Sequence, residues 1–243
     1  MMYIDELRLS LLRALFIYIA VVLGLIYQSE WVLTHLLAPV RAVFPHLVFT
    51  HVFAPIFLQI KLAFVAGAFL LLPYWVIEGW RYVRSALYPS ERWVGFWLLW
   101  VAGFMFYLGI ILGWFFLLPE LMHLAQSWSL GFATQLVDVS GALDVIYILL
   151  GSCGLFFQLP VLMLALAALG VIRLEQCREK RKHMVLVALI IGMFVTPPDV
   201  MAQVMVAVPL YALFEIGLLL MKWQGYNQVP TDQSRSMSHN QDR

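Results

Sequence analysis

The chain has 243 residues, of which 63% are hydrophobic and only 12% are charged. Soluble proteins average about 45–50% apolar and about 25% charged residues, so the composition argues against a water-soluble fold. The net charge is only +1, and the distribution of the charges is more informative than their sum. The composition therefore indicates a helical protein that crosses the membrane several times.

Six apolar runs are predicted as membrane spans. In chain order they are residues 11–27, 56–77, 94–118, 143–171, 184–195 and 200–221. The first run lacks the small-residue pattern of a cleavage site, so we expect it to be retained. The fifth is short for a hydrocarbon layer about 30 Å thick, which predicts local thinning or burial of its end. The double proline of Thr196-Pro197-Pro198-Asp199 predicts a tight reversal before the sixth.

Lysine and arginine divide unequally between the two sets of loops. One set comprises residues 1–10, 78–93, 172–183 and 222–243, and the other comprises 28–55, 119–142 and 196–199. Of the 15 Lys and Arg residues, 13 lie in or next to the first set, and only Arg41 and Lys61 lie in or next to the second. The positive-inside rule therefore predicts that both termini are cytoplasmic. We expect residues 1–222 to form a six-helix membrane domain and the polar residues 223–243 to form a disordered tail.

Three of the polar side chains within the predicted spans are candidates for a functional role. Lys61, Gln158 and Glu215 occupy apolar runs, where a functional role is the default hypothesis. Lys61 lies near the end of its span, so its stem can also snorkel to the interface. Gln158 and Pro160 together predict a kink in the fourth span. Convergence of the three polar groups near the midplane would favour a proton- or ion-coupled transporter, and a scaffold for single-span helices is a further alternative.

Two acidic residues, Glu6 and Glu91, are predicted at the cytoplasmic face. Either one alone is also explained as an acid in the first turn of a helix. Together they could bind an arginine-bearing ligand where water is partly excluded. Three outer-loop histidines lack the spacing of metal ligands, and no motif of covalent or nucleotide chemistry is present. We therefore expect no metal, no cofactor and no enzymatic activity.

Short motifs along the chain resemble those of the TatC family, the multispanning subunit of the twin-arginine protein translocase. The most specific is Thr196-Pro197-Pro198-Asp199-Val200, followed by Gln203, Pro209, Tyr211 and Phe214-Glu215. Others are Asp5-Glu6-Leu7-Arg8, Ala38-Pro39, Lys61-Leu62, Pro73, Trp80, Ala86-Leu87-Tyr88, Glu91-Arg92, Phe157-Gln158-Leu159-Pro160 and the basic residues 178–182. The resemblance covers about residues 3–222 and agrees with six spans and cytoplasmic termini.

The resemblance implies a receptor and organiser that exports folded proteins using the proton-motive force across the bacterial inner membrane. It implies twin-arginine signal peptides as ligands, TatA and TatB type single-span partners, several copies of the chain in one complex, and no nucleic acid. The implied signal-peptide residues are Glu6, Arg8, Tyr82 and Glu91, and the implied partner-docking residues are Met193, Thr196 and Gln203. Structural roles are implied for Pro39, Pro73, Pro160, Pro197, Pro198, Asp199 and Pro209.

The sequence departs from the family pattern at three positions that bear on these expectations. Gln158 stands where the family often has Glu, so this position carries no intramembrane charge. Tyr82 stands where the family has Phe, and Ser85 replaces the Pro that usually precedes Ala86. The departures leave both predicted cytoplasmic carboxylates in place.

Overall fold

The computed structural model describes residues 2–86, 92–128, 136–168, 170–196 and 199–225, and these residues are mostly helical. The chain divides into two compact units, Met1–Leu155 and Phe156–Arg243. The predicted all-helical membrane architecture is confirmed at this level, and each unit is described separately below.

The first unit contains eight α-helices and one pair of short strands within its described residues. The helices are α1 (Met2–Tyr27), α2 (Ser29–Leu36), α3 (Ala38–Val43), α4 (Ala54–Leu70), α5 (Leu72–Ala86), α6 (Arg92–Leu112), α7 (Leu118–Ser127) and α8 (Val139–Phe156). A π-helical turn, Gly113–Leu117, joins α6 to α7. Strands β1 (Leu47–Val48) and β2 (Val137–Asp138) pair in parallel, with Leu47 opposite Val137.

The second unit contains α9 (Leu159–Ala168), α10 (Leu174–Glu179), α11 (Arg181–Val195) and α12 (Val200–Trp223). Helix α12 is its centre, because α9, α10 and α11 all pack on it. One buried cluster joins α9, α10 and α12 through Met163, Leu174, Phe214, Leu218 and Met221. A second cluster joins α11 to α12 through Ala188, Ala207 and Leu210.

Four helical stretches among the described residues are long and apolar enough to cross a membrane. They are Arg8–Tyr27, Gly95–Ser127, Val139–Ala168 and Val200–Trp223. The bent pair Ala54–Leu70 and Leu72–Arg81 would make a fifth. Helix α11 has 15 residues, a length of about 22 Å at 1.5 Å per residue, which is shorter than the hydrocarbon layer.

Two boundaries differ from the sequence expectations. The second span, expected to be continuous, breaks at Leu71 and bends by 48°, because Pro73 lacks an N–H and its ring disfavours a helix running through it. The prediction of a loop over 119–142 is wrong in its first part, since helix α6 continues through the π-helical turn into α7, which ends at Ser127. Pro119 is tolerated there because it lies in the first turn of α7.

The predicted structural prolines occupy distinct positions. Pro39, Pro73 and Pro160 lie at the second position of α3, α5 and α9, whereas Pro209 lies inside α12. The helical backbone is interrupted just before α9, at Phe157 and Gln158. Pro197 and Pro198 fall outside the described residues. Asp199 caps α12, because its carboxylate accepts a hydrogen bond from the Ala202 amide at 2.8 Å.

Candidate functional site

A buried carboxylate joins α1 to α5. The Glu78 side chain is only 11% exposed and accepts a hydrogen bond from Arg81 Nη1 at 3.2 Å. The Ser10 hydroxyl of α1 donates to the same carboxylate, and Arg13 lies close enough to interact with its charge. Arg13 in turn donates to Ser10 Oγ at 3.3 Å. The two guanidinium groups offset the cost of burying Glu78, so this cluster fixes α5 against α1.

Two contacts of α1 locate two of the predicted site residues along their helices. Val22 of α1 packs at Gly67 of α4, whereas Ser10 contacts Glu78 of α5. Residue numbers fall along α1 as they rise from α4 to α5, so the two segments run antiparallel. One turn beyond the Ser10–Glu78 contact, α1 reaches Glu6 and α5 reaches Tyr82.

The other two residues of the predicted signal-peptide site are Arg8 and Glu91, which are close in sequence to Glu6 and Tyr82 respectively. Arg8 lies on α1, and its side chain is exposed. Glu91 falls outside the described residues, between the end of α5 at Ala86 and the start of α6 at Arg92. Glu6 and Tyr82 therefore each lie one helical turn from the same Ser10–Glu78 contact, and Glu91 belongs to the connection from α5 to α6.

Lys61 forms an ion pair that sequence reasoning missed. Its ammonium group contacts the carboxylate of Asp144, which links α4 to α8. The two side chains are 54% and 46% exposed. The missed signal was the sign of the charges, because Lys61 and Asp144 each lie near the start of an apolar run and carry opposite charges.

Glu215 is also paired within its own unit. Its carboxylate accepts a hydrogen bond from Arg181 at 2.7 Å and another from the Tyr211 hydroxyl at 2.8 Å. Gln158 lies, partly exposed, in the break before α9. Because Lys61 and Glu215 each already have a local partner of opposite charge, these contacts do not favour the transporter alternative.

The predicted docking residues surround a close crossing of α11 and α12. Thr196 is buried, and its hydroxyl donates to the Gly192 carbonyl at 2.9 Å. The Gln203 side-chain amide donates to the Leu189 carbonyl at 2.7 Å. Met193, by contrast, is 59% exposed. Gln203 therefore ties α12 to α11, Thr196 closes the end of α11 on its own last turn, and Met193 presents an apolar side chain at the surface.

Asp138, which sequence reasoning also missed, fastens the end of the first unit that carries β1 and β2. Its carboxylate caps α8 by accepting from the Gly141 amide at 3.0 Å. It also accepts from the amide and the hydroxyl of Thr50, each at 3.2 Å. These hydrogen bonds, that from Gly141 above all, lower the pKa of Asp138. The charged carboxylate therefore stabilises the folded chain.

Replacing Asp138 with alanine is expected to lower the free energy of unfolding by about 1 kcal/mol, the usual cost of losing a helix cap. The contribution of the charge is complete above the unfolded pKa of about 3.9 and is lost as the pH falls through the lower folded pKa. Thermal unfolding in detergent, followed against pH, measures both effects. Asp138→Asn is the control, since it keeps a capping oxygen without the titration. An alanine variant that unfolds like the wild type would contradict this role.

Comparisons with known proteins identify the family. The family model described as Sec-independent protein translocase protein (TatC) matches residues 2–209. The TatC protein of Haemophilus influenzae is 29% identical over 98% of this chain and 93% of its own length. That of Escherichia coli strain K12 is 29% identical over 91% of this chain and 87% of its own length.

Solved structures agree with these relatives. A crystal structure of the twin-arginine translocase receptor TatC is 30% identical, covers 90% of this chain and 98% of its own, and superposes with a TM-score of 0.75. A second, of the same receptor in DDM, is 27% identical over 89% of this chain and 98% of its own, with a TM-score of 0.77. The apolar helices and these matches make the protein an integral membrane protein, and the chain belongs to the TatC family of Sec-independent protein translocase proteins.

Proposed function

We propose that this protein is the receptor and organising subunit of a twin-arginine translocase in the bacterial inner membrane. It binds the twin-arginine signal peptides of folded cargo and recruits single-span subunits of the TatA and TatB type, with the proton-motive force as the energy source. The observation that carries the proposal is the match of nearly the whole chain to a solved twin-arginine translocase receptor. The role is binding and organisation, and it requires no catalytic residue.

The recognition site in this proposal consists of Glu6 and Glu91, with Arg8 and Tyr82 beside them. A guanidinium group binds a carboxylate through two parallel hydrogen bonds, which the ammonium group of lysine cannot reproduce. The contact of Ser10 in α1 with Glu78 in α5 supports the site, because Glu6 and Tyr82 each lie one helical turn beyond it. Glu78 supports it as well, since its hydrogen bond with Ser10 ties α5 to α1.

Retention of the purified protein by immobilised signal peptides tests this function. Peptides with an Arg-Arg pair and matched peptides with Lys-Lys are immobilised, and the bound protein is measured. We expect at least about tenfold stronger retention by Arg-Arg, equivalent to about 1.4 kcal/mol. Equal retention by both peptides would instead favour a transporter or a scaffold without a signal-peptide site.

The proposal includes six spans in residues 1–222, cytoplasmic termini and a tail over residues 223–243. The distribution of lysine and arginine supports this topology. We expect cysteines introduced at Ser127 and Ser236 to be labelled from opposite sides of the membrane by an impermeant maleimide. The two native cysteines, Cys153 and Cys177, are replaced first so that they do not react with the reagent. Burial raises the pKa of the Cys177 thiol and already slows its reaction. Labelling of both positions from one side would contradict the topology.

The partner-docking surface in this proposal is formed by Met193, Thr196 and Gln203. The exposed Met193 supports a direct contact with a partner helix. The internal hydrogen bonds of Thr196 and Gln203 support a different contribution, which is to set the shape of the crossing. Several copies of the chain assemble in the proposed complex.

A further inference from the structure

A cavity of about 560 Å³ lies between the first turns of α4 and α8 in the first unit. Its volume is in the range of small-ligand sites. Apolar side chains form most of its wall, chiefly Phe53, Phe57, Leu58 and Leu143. A cavity with these walls accommodates a hydrocarbon chain.

The polar part of the cavity consists of three groups. Lys61 and Asp144 both line it, and about half of each side chain remains exposed beyond their mutual contact. An ammonium group has three donors and a carboxylate has about four acceptor sites, so each can bind a further group. The hydroxyl oxygen of Tyr147, also in the lining, is buried and has no hydrogen-bond partner within the described part of the chain. Leaving such a hydroxyl unpaired is costly, and a ligand oxygen would remove that cost.

The depth of the ion pair restricts the kind of ligand. Lys61 and Asp144 each lie within about two turns of the start of their helix, and strands β1 and β2 hold those two starts together. At 1.5 Å per residue the pair lies within about 10 Å of the helix starts. This depth corresponds to the boundary between lipid headgroups and acyl chains. A ligand with adjacent opposite charges and an attached hydrocarbon chain therefore matches the cavity.

We propose that this cavity binds phosphatidylethanolamine, with the lipid phosphate on Lys61, its primary ammonium group on Asp144 and an acyl chain along the phenylalanine wall. Asp144 repels the net negative charge of phosphatidylglycerol. The quaternary ammonium group of phosphatidylcholine carries no N–H and cannot donate a hydrogen bond to Asp144. The ion pair thus selects a zwitterionic lipid that has hydrogen-bond donors on its cation.

Native mass spectrometry of the full-length chain in detergent tests the proposal. The protein is titrated with phosphatidylethanolamine, phosphatidylcholine and phosphatidylglycerol that carry identical acyl chains. We expect phosphatidylethanolamine to bind about tenfold more tightly than either of the others, as one charge-assisted hydrogen bond would give. Asp144→Asn should reverse the order in favour of phosphatidylglycerol, because the positive charge of Lys61 is then unopposed.

Two further variants keep the test decisive. Glu215 also forms an ion pair, with Arg181, but it lies outside this cavity. Glu215→Gln should therefore leave the lipid preference unchanged. Tyr147→Phe keeps the ion pair and should weaken phosphatidylethanolamine binding, which covers the case in which Asp144→Asn fails to fold. Equal binding of the three lipids to the wild type would overturn the proposal, as would wild-type affinity and preference for phosphatidylethanolamine in both cavity variants.

Discussion

Replacing Glu6 or Glu91 with alanine is expected to reduce the affinity for an Arg-Arg signal peptide by about tenfold or more. A hydrogen bond to a charged group contributes about 1.5–3 kcal/mol, and a carboxylate that binds a guanidinium group through both oxygens makes two of them. The preference over Lys-Lys peptides should fall at the same time, since it depends on that geometry. Fluorescence anisotropy of a labelled signal peptide with the purified protein measures both quantities.

The matched control for these variants is Glu30→Ala. Glu30 lies in the first turn of α2, at the far end of α1 from Glu6. Its replacement removes one negative charge without altering the proposed site. We expect this variant to bind signal peptide like the wild type. Raising the salt concentration should weaken wild-type binding only in part, because the contacts are partly shielded from water. If both single variants and the double variant keep wild-type affinity and preference, recognition lies elsewhere.

Substituting alanine for Gly192 is expected to abolish cross-linking to a single-span partner. A Cβ at this position would lie 2.7 Å from the backbone carbonyl oxygen of Gln203, which cannot move aside as a flexible side chain can. Overpacking of this kind typically costs about 1–3 kcal/mol. The crossing of α11 and α12 must open, which distorts the hydrogen bond from Gln203 to the Leu189 carbonyl. Partner cross-linking in membranes, together with thermal unfolding, measures the effect.

Two variants separate the shape of the crossing from direct contact. Gly24→Ala adds the same methyl group to a helix where nothing lies within 4 Å, so it should lower neither stability nor cross-linking. Met193→Asn alters an exposed side chain and should weaken cross-linking without lowering the unfolding temperature. Signal-peptide binding should persist in both Met193→Asn and Gly192→Ala. If Gly192→Ala cross-links to its partner at wild-type levels, the crossing does not shape the docking surface.

The apolar runs and the distribution of positive charge were enough to predict an all-helical membrane protein, because hydropathy and charge act on whole segments. The breaks within spans were harder to predict, since they depend on single residues. The second span breaks just before Pro73. The third span instead runs on through Pro119, which lies in the first turn of α7. Both residues look alike in the sequence, and their backbone surroundings decide between the two outcomes.

The polar contacts show a similar division. Sequence reasoning identified Lys61 and Glu215, since a charge within an apolar run stands out. Their partners Asp144 and Arg181 were missed, because pairing between helices depends on a register that the sequence does not display. Glu78 was counted as a loop residue, and its burial against Ser10 became visible only once α1 and α5 were packed together.

In the proposed function, the carboxylates of Glu6 and Glu91 contact the paired arginines of a signal peptide. Photo-crosslinking tests it most directly, with a photoreactive residue placed next to the Arg-Arg pair of the peptide and the adducts located by mass spectrometry. We expect adducts within about one helical turn of Glu6 and in the connection between α5 and α6, and a marked loss of both when the pair becomes Lys-Lys. Adducts confined to other segments, or unchanged with Lys-Lys, would contradict it.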